Sequence, residues 1–320
     1  MEKPTTGEHR HRSGHLKAVL LALFVTFLWS TSWVLIKLGL KANLPAVSFA
    51  GLRYTLAFLF LLPLVLFNRD HRQTVRSLTA GQWGQLALLG LLLYTLAQGA
   101  QYVGLAYLPA AMLSLLLNLT PLVVALVSRR MGTEAAPLSQ WAGILLSTAG
   151  TLVFFLPFSV PAGQWIGLTA AMVCLASNAA ASIYGRKVNL HSGLSPLVIT
   201  TLTMGMGGLI MLAVGGLTQG FGRLDLTQWL IVLWLALMNT ALGFTVWNHT
   251  LRTLTAVESS ILNSAMMPQI AILTWVFLGE ALTMKQIIGM ILVVVGTLIV
   301  QLRFRLPQKV RSAGSVEPGK

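Results

Sequence analysis

One sequence block occurs twice in this chain of 320 residues. Its landmarks are a proline, two glycines and a Gly-Thr-Leu triplet, and their spacing agrees between the copies if one residue is inserted. The landmarks are Pro121, Gly132, Gly143 and Gly150-Thr151-Leu152 in the first copy, and Pro268, Gly279, Gly289 and Gly296-Thr297-Leu298 in the second. The two prolines are 147 residues apart, close to half of the chain. Self-similarity at such a long period predicts two related halves.

The composition predicts an integral membrane protein. Hydrophobic residues make up 55% of the chain and charged residues 9%, whereas about a quarter of a soluble domain is charged. Apolar runs of ~20 residues recur along the whole length, and each could cross a bilayer core of ~30 Å. We predict ten spans: Leu16–Leu38, Ala46–Phe67, Trp83–Tyr107, Ala110–Ser128, Leu138–Pro157, Gln164–Gly185, Pro196–Leu217, Gln228–Thr250, Leu254–Leu278 and Met284–Leu302.

The basic residues predict the orientation of these spans. If the N-terminus is cytoplasmic, 17 of the 22 lysines and arginines fall in cytoplasmic segments and four fall outside. An excess of lysine and arginine in short loops marks the cytoplasmic side, so both termini are predicted to be inside. The net charge of +14 is therefore interpreted as a topology signal. We expect no nucleic-acid partner.

Ten spans and one duplication together predict an inverted architecture. Each half contains five spans, an odd number, so the second half must enter the membrane upside-down relative to the first. The predicted fold is all-α, with ten transmembrane helices arranged as two inverted five-helix repeats. The repeats are predicted at residues 16–157 and 158–302, between basic cytoplasmic tails at 1–15 and 303–320. Inverted repeats around a central site are a recurrent architecture of alternating-access carriers.

Several motifs resemble a known family. They are Trp29-Ser30-Thr31-Ser32-Trp33 followed by Lys37, Leu52-Arg53-Tyr54, Phe244-Thr245-Val246-Trp247-Asn248 and the two proline-to-Gly-Thr-Leu blocks. Together they resemble a pair of EamA domains, as in the drug/metabolite transporter superfamily. The resemblance implies a carrier of small solutes, in a family whose members move amino acids, metabolites, nucleotide sugars and drugs.

Arg53 is a charged residue inside an apolar run. It lies seven residues into the second predicted span, roughly 10 Å from the outer end at ~1.5 Å per residue. An arginine near mid-membrane costs ~2.5–3.5 kcal/mol on insertion scales, so it usually faces a cavity or a partner. Its guanidinium fork can hold a carboxylate through two parallel hydrogen bonds. Two interpretations remain open: Arg53 contacts a solute, or it extends to the surface or a neighbouring helix.

The third predicted span carries a polar stripe. Tyr94, Gln98, Gln101 and Tyr102 recur at i, i+4, i+7 and i+8, which places them on one helical face. Glutamines that face lipid would be expensive, so this face is predicted to meet protein or water. It either lines the solute path or makes hydrogen bonds between helices.

Two further spans carry aromatic and amide side chains. Trp29 lies deeper in the first span than Trp33, which fits an anchor at the membrane surface. Asn239 and Trp247 lie on one face of the eighth span, two turns apart. Aromatic side chains deep in the bundle would suit an apolar or aromatic group of a solute. Trp29, Asn239 and Trp247 are therefore candidate binding residues.

The repeat prolines are candidate hinges. A proline removes one backbone hydrogen bond and leaves the carbonyl four residues earlier without its helical partner. Asn118 and Asn263 are the polar residues nearest to Pro121 and Pro268. These segments are either hinges and walls of a solute site or packed kinks. The glycines seven residues apart in each copy predict close helix crossings.

The acidic residues constrain the chemistry. The chain has eight, and only Glu258 falls inside a predicted span, within about a turn of its cytoplasmic end, where we expect it to pair with Arg252. A mid-depth carboxylate that could neutralise a cation or carry a proton is not predicted. The histidines lie in tails, loops or a span end, and Cys174 is the single cysteine, so no metal site and no cofactor are predicted.

These observations predict an inner-membrane secondary transporter. It would move small metabolites by alternating access, with amino acids or related zwitterionic and anionic solutes as the leading candidates and export as the direction. Efflux of drugs or toxic compounds is the alternative, with Trp29, Trp247, Met266 and Met267 as an adaptable apolar wall. An intramembrane enzyme is disfavoured, since neither H-E-x-x-H nor G-x-S-x-G occurs. The expected partners are a small-molecule solute and membrane lipid, and the sequence does not distinguish a monomer from a homodimer.

Overall fold

The computed structural model describes residues 6–132, 137–155, 164–278 and 283–303. Apart from short turns, these residues are helical, as a membrane requires, because a helix pairs its own backbone N–H and C=O groups. The helices are α1 Thr6–Lys41, α2 Ala46–Leu66, α3 Arg69–Arg76, α4 Ala80–Tyr107, α5 Ala110–Leu117, α6 Thr120–Arg130, α7 Leu138–Phe155, α8 Trp165–His191, α9 Pro196–Thr218, α10 Leu226–Thr250, α11 Ala256–Ser264, α12 Met266–Leu278 and α13 Met284–Arg303. Gly279 and the predicted tail beyond Arg303 lie outside the described residues.

Seven of the described helical segments are long and apolar enough to cross a membrane. This finding confirms an all-helical membrane protein. The segments are Gly14–Lys41, Ala46–Leu66, Ala80–Tyr107, Trp165–His191, Pro196–Thr218, Leu226–Thr250 and Ala256–Phe277. The predicted spans Leu138–Pro157 and Met284–Leu302 correspond to α7 and α13. The last two residues of the first of these spans, 156 and 157, lie outside the described part.

The fourth predicted span, Ala110–Ser128, is not one continuous helix. It consists of α5 and α6, of 8 and 11 residues, with a turn at Asn118 and Leu119 between them. Each piece is shorter than the ~20 residues that a helix needs to cross a bilayer alone. Pro121 is the second residue of α6 and has no N–H to pair with Leu117 O. The hydroxyl of Thr120 donates to that carbonyl instead, at 2.5 Å.

The ninth predicted span, Leu254–Leu278, is interrupted at the equivalent place by one residue, Ala265, within the membrane-length segment Ala256–Phe277. Helix α11 ends at Ser264 and α12 begins at Met266, with Pro268 as the third residue of α12. In both halves the repeat proline therefore lies in the first turn of a helix. A missing N–H is tolerated there, since the first N–H groups of a helix have no partner within it.

Three of the described helices begin with a reciprocal cap, in which each of two residues accepts the backbone N–H of the other with its side chain. The pairs are Thr79 with Gln82 at the start of α4, Asp225 with Gln228 at the start of α10, and Thr255 with Glu258 at the start of α11. Such a capping box satisfies N–H groups that the helix itself cannot pair. The caps of α4 and α10 lie 146 residues apart, close to the repeat period.

Helices α2 and α9 pack closely in opposite directions. A β-carbon on Gly51 would lie 2.6 Å from the backbone of Leu212, and one on Gly215 would lie 2.6 Å from Ser48 N. Ser48 contacts Gly215, and Gly51, which is later in α2, contacts Leu212, which is earlier in α9. The two helices therefore run antiparallel. Small residues allow backbones to approach this closely inside a membrane.

Helices α7 and α13 make the same kind of contact with the repeat glycines. A β-carbon on Gly150 would lie 2.7 Å from the carbonyl oxygen of Gly289, and one on Gly296 would lie 2.6 Å from that of Gly143. The predicted close crossings are confirmed. The pairing is antiparallel, and each glycine pair joins one copy of the repeat to the other.

Within the part of the chain that the structure describes, two helices contain a π-helical segment at matching positions. In α4 the segment is Leu91–Gln98, and in α10 it is Leu235–Leu242, which begins 144 residues later, close to the repeat period. A π-helical turn inserts an extra residue and rotates the residues after it about the helix axis, and such turns often occur at functional sites. The largest buried apolar cluster surrounds both segments and includes Tyr94 and Phe244.

Candidate functional site

A cavity of about 110 Å³ lies between the helices of the bundle. Its wall is formed by α1, α2, α4, α8, α10, α11 and α12 together with the break between α5 and α6. Of the nine candidate binding residues, Tyr102 and Asn239 do not touch the cavity. The other seven line it: Trp29, Arg53, Gln98, Gln101, Asn118, Trp247 and Asn263.

Arg53 is buried at the cavity wall, with 2% of its surface exposed. Its Nε donates to Thr240 Oγ1 at 2.5 Å, and its Nη1 donates to the Tyr102 hydroxyl at 3.1 Å. The guanidinium carbon also lies 5.2 Å from the centre of the Tyr54 ring, within cation–π range. Within the described ranges, no carboxylate lies at ion-pair distance from Arg53.

The packing of α2 explains why Arg53 faces inward. Gly51 and Ser48 lie against α9, and Arg53 comes two residues after Gly51. Two residues rotate a helix by roughly 200° at 3.6 residues per turn, so Arg53 points away from α9. The glycine crossing on one side of α2 thus directs the guanidinium to the other side.

Tyr102 and Gln98 form a polar layer beside Arg53. Tyr102 is fully buried behind the guanidinium, while Gln98 reaches the cavity and accepts a hydrogen bond from the Tyr54 hydroxyl at 2.7 Å. The rings of Tyr54, Tyr94 and Phe244 pack together, with centroids 5.0 to 6.1 Å apart. The polar stripe predicted on the third span therefore divides into residues at the cavity and residues that support it.

Three aromatic side chains form one wall of the cavity. The Trp29 ring lies 4.7 Å from Phe244 and 5.0 Å from Trp247, measured between centroids. The Trp29 indole is held by a hydrogen bond from Nε1 to Asn239 O, at 2.8 Å. Gly243 provides the room for this ring, because a β-carbon there would lie 2.9 Å from Nε1.

Asn239 fastens α10 to α1 behind the cavity. Its Nδ2 donates to Leu28 O and to Thr31 Oγ1, the latter at 3.1 Å. The predicted common face of Asn239 and Trp247 assumed regular helical spacing. The π-helical segment that contains Asn239 rotates it relative to Trp247, so only Trp247 reaches the cavity.

The helix breaks place two amides at the cavity. Asn118 is buried and its Nδ2 donates to Thr151 Oγ1, whereas its Oδ1 has no hydrogen-bond partner among the described residues. Asn263 Oδ1 likewise has no partner in the described part of the chain. Pro121 and Pro268 come shortly after these amides, one in each half, beside the turns that interrupt the helices.

The lining also contains a set of small polar residues that the sequence did not lead us to predict. Most are serines, and three come from the short helix α11 alone, which supplies hydroxyls without bulk. The set comprises Ser32, Ser114, Asn178, Ser182, Asn248, Ser259, Ser260 and Ser264. The available signal was the density of serines in the second copy just before the repeat proline.

The expected pairing of Glu258 with Arg252 is not formed. Arg252 donates to Leu194 O, and Glu258 caps α11 through Thr255 while its Oε1 lies 3.8 Å from His15 Nε2. The carbonyl of Leu194, in the turn between α8 and α9, satisfies the guanidinium, and the cap holds Glu258 in the first turn of its own helix. Among the described residues, no three His, Cys, Asp or Glu side chains are grouped so that they could hold a metal ion.

Comparison with known proteins identifies the family. The family described as "EamA-like transporter family" matches residues 16–156 and again residues 165–302. The chain belongs to the EamA-like transporter family. It is therefore a multi-pass membrane transporter of the drug/metabolite transporter superfamily.

Relatives cover nearly the whole of this EamA-like chain. A Salmonella typhimurium protein named "Probable amino-acid metabolite efflux pump" is 27% identical over 92% of this chain and 98% of its own length. A Bacillus subtilis protein named "Uncharacterized transporter YvbV" is 27% identical over 93% and 95%. A solved structure described as "Crystal structure of protein" is 20% identical, with a TM-score of 0.74 over 91% of this chain and 99% of that one, and shares the fold.

Proposed function

We propose that this transporter exports small carboxylate-bearing metabolites, above all amino acids and related zwitterionic or anionic solutes, from the cytoplasm. The observation that carries the proposal is Arg53: a guanidinium that is 2% exposed, lies at the cavity wall and has no anionic partner among the described residues. A buried charge without a counter-charge is costly. A carboxylate in the cavity would supply that counter-charge and form charge-assisted hydrogen bonds.

The neutral lining suits the rest of such a solute. Trp29, Phe244 and Trp247 offer an apolar surface, and the unpartnered acceptor oxygens of Asn118 and Asn263 can receive N–H groups. Pockets that combine apolar walls with a few placed polar groups are typical of small-molecule sites. The name of the Salmonella typhimurium relative, "Probable amino-acid metabolite efflux pump", favours the same solute class and direction.

The proposed mechanism is alternating access between two inverted five-helix repeats, at residues 16–157 and 158–302. Each repeat would cross the membrane five times, with α5 and α6 forming one crossing and α11 and α12 another. Three symmetric features support it: the antiparallel pairs α2–α9 and α7–α13, the matched π-helical segments and the matched helix breaks. The breaks at Pro121 and Pro268 are the proposed hinges, because they interrupt helices beside the cavity.

The proposed topology places both termini in the cytoplasm of an inner-membrane protein, and introduced thiols can test it. Met131 lies in the turn after α6, and Met284 begins α13 directly after the equivalent loop of the second repeat. Their surfaces are 61% and 71% exposed. In intact cells, a membrane-impermeant maleimide should label Met284→Cys, and Met131→Cys should react only after permeabilisation. Native Cys174 is buried and provides a low background. Labelling of both positions from one side would rule out the inverted arrangement.

Counterflow in liposomes tests the proposed solute class. The purified protein should exchange labelled amino acids or other carboxylates from a panel faster than empty liposomes do, whereas their amides should exchange poorly. The physical reason is that a neutral amide cannot form the charge-assisted pair with Arg53. If no carboxylate in the panel exchanges above the background of empty liposomes, the proposed function is wrong.

Efflux of apolar toxic compounds is the second candidate. The observation that favours it is that the apolar part of the cavity lining includes Met266 and Met267 as well as Trp29 and Trp247. Methionine side chains adapt to ligands of different shape. Resistance profiles of an overexpressing strain separate the two functions: tolerance to unrelated apolar compounds favours efflux, and tolerance confined to amino-acid analogues favours the carboxylate exporter.

A further inference from the structure

Thr240 lies directly behind Arg53 and does not touch the cavity. Its side chain is fully buried, and its Oγ1 accepts the hydrogen bond from Arg53 Nε at 2.5 Å. The same oxygen donates to Leu235 O at 2.8 Å. A hydroxyl has one hydrogen to give, so the bond to Leu235 turns its lone pairs towards the guanidinium.

The π-helical segment of α10 makes this arrangement possible. In a regular helix a threonine hydroxyl bonds the carbonyl three or four residues earlier, but Leu235 precedes Thr240 by five. The wider π turn therefore supplies a carbonyl at a spacing that an α-helix does not offer. This carbonyl holds the Thr240 hydroxyl, which is the acceptor for Arg53 Nε, against the backbone of α10.

The contacts of Arg53 leave one side of its fork available. Thr240 accepts from Nε and Tyr102 accepts one of the two hydrogens of Nη1, and neither residue lines the cavity. No bond to Nη2 is found among the described residues, and Arg53 lines the cavity. The edge formed by Nη1 and Nη2 is the edge that can receive the two oxygens of a carboxylate.

We propose that Thr240 is a positioning residue that holds the Nη1–Nη2 edge of Arg53 towards the cavity and so sets the preference for a carboxylate over its neutral amide. This inference rests on the proposed function and identifies the carboxylate as the group of the solute that Arg53 recognises. The aliphatic stem of Arg53 is flexible, and without the Thr240 hydroxyl Nε would form a hydrogen bond to another acceptor. The guanidinium would then rotate, and its Nη1–Nη2 edge would no longer face the cavity as two parallel hydrogen bonds to a carboxylate require.

The other π-helical segment provides a matched control. Thr95 in α4 is also a threonine within a π turn, but its Oγ1 donates to Gly207 O at 3.1 Å and fastens α4 to α9. A threonine-to-valine change at Thr95 removes a hydroxyl from a comparable place without changing the contacts of Arg53. Any general effect of removing a threonine hydroxyl from a π-helical segment should appear in both variants, whereas loss of carboxylate preference should appear only in Thr240→Val.

The test compares Thr240→Val, Thr240→Ser and Thr95→Val in counterflow. The probes are the best-exchanged carboxylate of the panel, whose apparent KM and maximal rate are measured, and its primary amide as a competitor. For Thr240→Val we expect the KM of the carboxylate to rise about tenfold, as for loss of one hydrogen bond to a charged group, with inhibition by the amide little changed. Thr240→Ser and Thr95→Val should keep the preference of the unaltered protein.

Each outcome decides one statement. If the unaltered protein exchanges no carboxylate, the proposed function is wrong and this inference is overturned with it. If it does, and Thr240→Val either matches it or weakens carboxylate and amide equally, Thr240 serves packing alone. Should Thr240→Val fail to fold, Thr240→Ala removes the same hydroxyl. A carboxylate KM that rises while inhibition by the amide stays the same supports the positioning role, whereas an unchanged ratio overturns it.

Discussion

Replacement of Arg53 by glutamine should lower the apparent affinity for carboxylate solutes by roughly 100-fold or more in counterflow. Two hydrogen bonds to a charged group contribute ~1.5–3 kcal/mol each, and each 1.4 kcal/mol is a factor of ten. Glutamine retains polar atoms that can pair with Thr240 and Tyr102, so the change should not leave both hydroxyls unsatisfied. Removal of a buried charge without a counter-charge should also leave the protein at least as stable.

Two further variants separate the role of charge from that of shape. Arg53→Lys keeps the positive charge but loses the planar fork, so we expect a loss smaller than that of Arg53→Gln. Arg223→Gln makes the same change in charge on an exposed loop residue and should leave transport unaltered. Unchanged KM values for carboxylates in Arg53→Gln would contradict a carboxylate contact and favour a structural role for Arg53.

Arg53 could be chosen from the sequence because its signal is local. A charge within an apolar run is expensive wherever the run folds, and that cost can be judged without knowing the neighbours. The same holds for Gln98 and Gln101 of α4, whose polarity conflicts with a lipid environment. Trp29 is distinguished by its depth in the first span. The structure brings these residues to one cavity, although the sequence contained no information on which helices would meet there.

The roles of Thr240 and Asn239 could not be predicted from the sequence. They depend on a π-helical turn, and the spacing of apolar residues in Leu235–Leu242 does not distinguish that turn from a regular α-helix. One extra residue per turn rotates Asn239 towards α1 and presents Thr240 to Arg53. A regular period of 3.6 residues predicts that Asn239 faces the cavity, and it gives no reason to select Thr240.

The broken helices were missed for a related reason. Mean hydropathy over a window of ~20 residues is insensitive to a two-residue turn such as Asn118-Leu119, because the flanking residues remain apolar. The prolines did mark both places. From the sequence they are candidate hinges or packed kinks within continuous spans, whereas in the structure each lies in the first turn of a new helix.

Replacement of Gly51 by alanine should produce the largest loss of stability among single small substitutions in α2. Its β-carbon would lie 2.6 Å from both the N and the Cα of Leu212. Those atoms belong to the backbone of α9, which cannot rotate away as a side chain could, so the two helices must separate. Overpacking of this kind costs ~1–3 kcal/mol or more, and we expect a thermal transition lowered by about 5–10 °C.

Gly84→Ala is the matched control for this variant. It makes the same substitution inside a helix, α4, but at an exposed position where a β-carbon would meet nothing within 4 Å. Alanine is intrinsically the better helix former by ~1 kcal/mol, so Gly84→Ala should be neutral or slightly stabilising. Thermal unfolding of both purified variants in one detergent compares them directly. Equal transition temperatures would mean that α2 and α9 can separate at no cost, and that Gly51 does not set their distance or the direction in which Arg53 points.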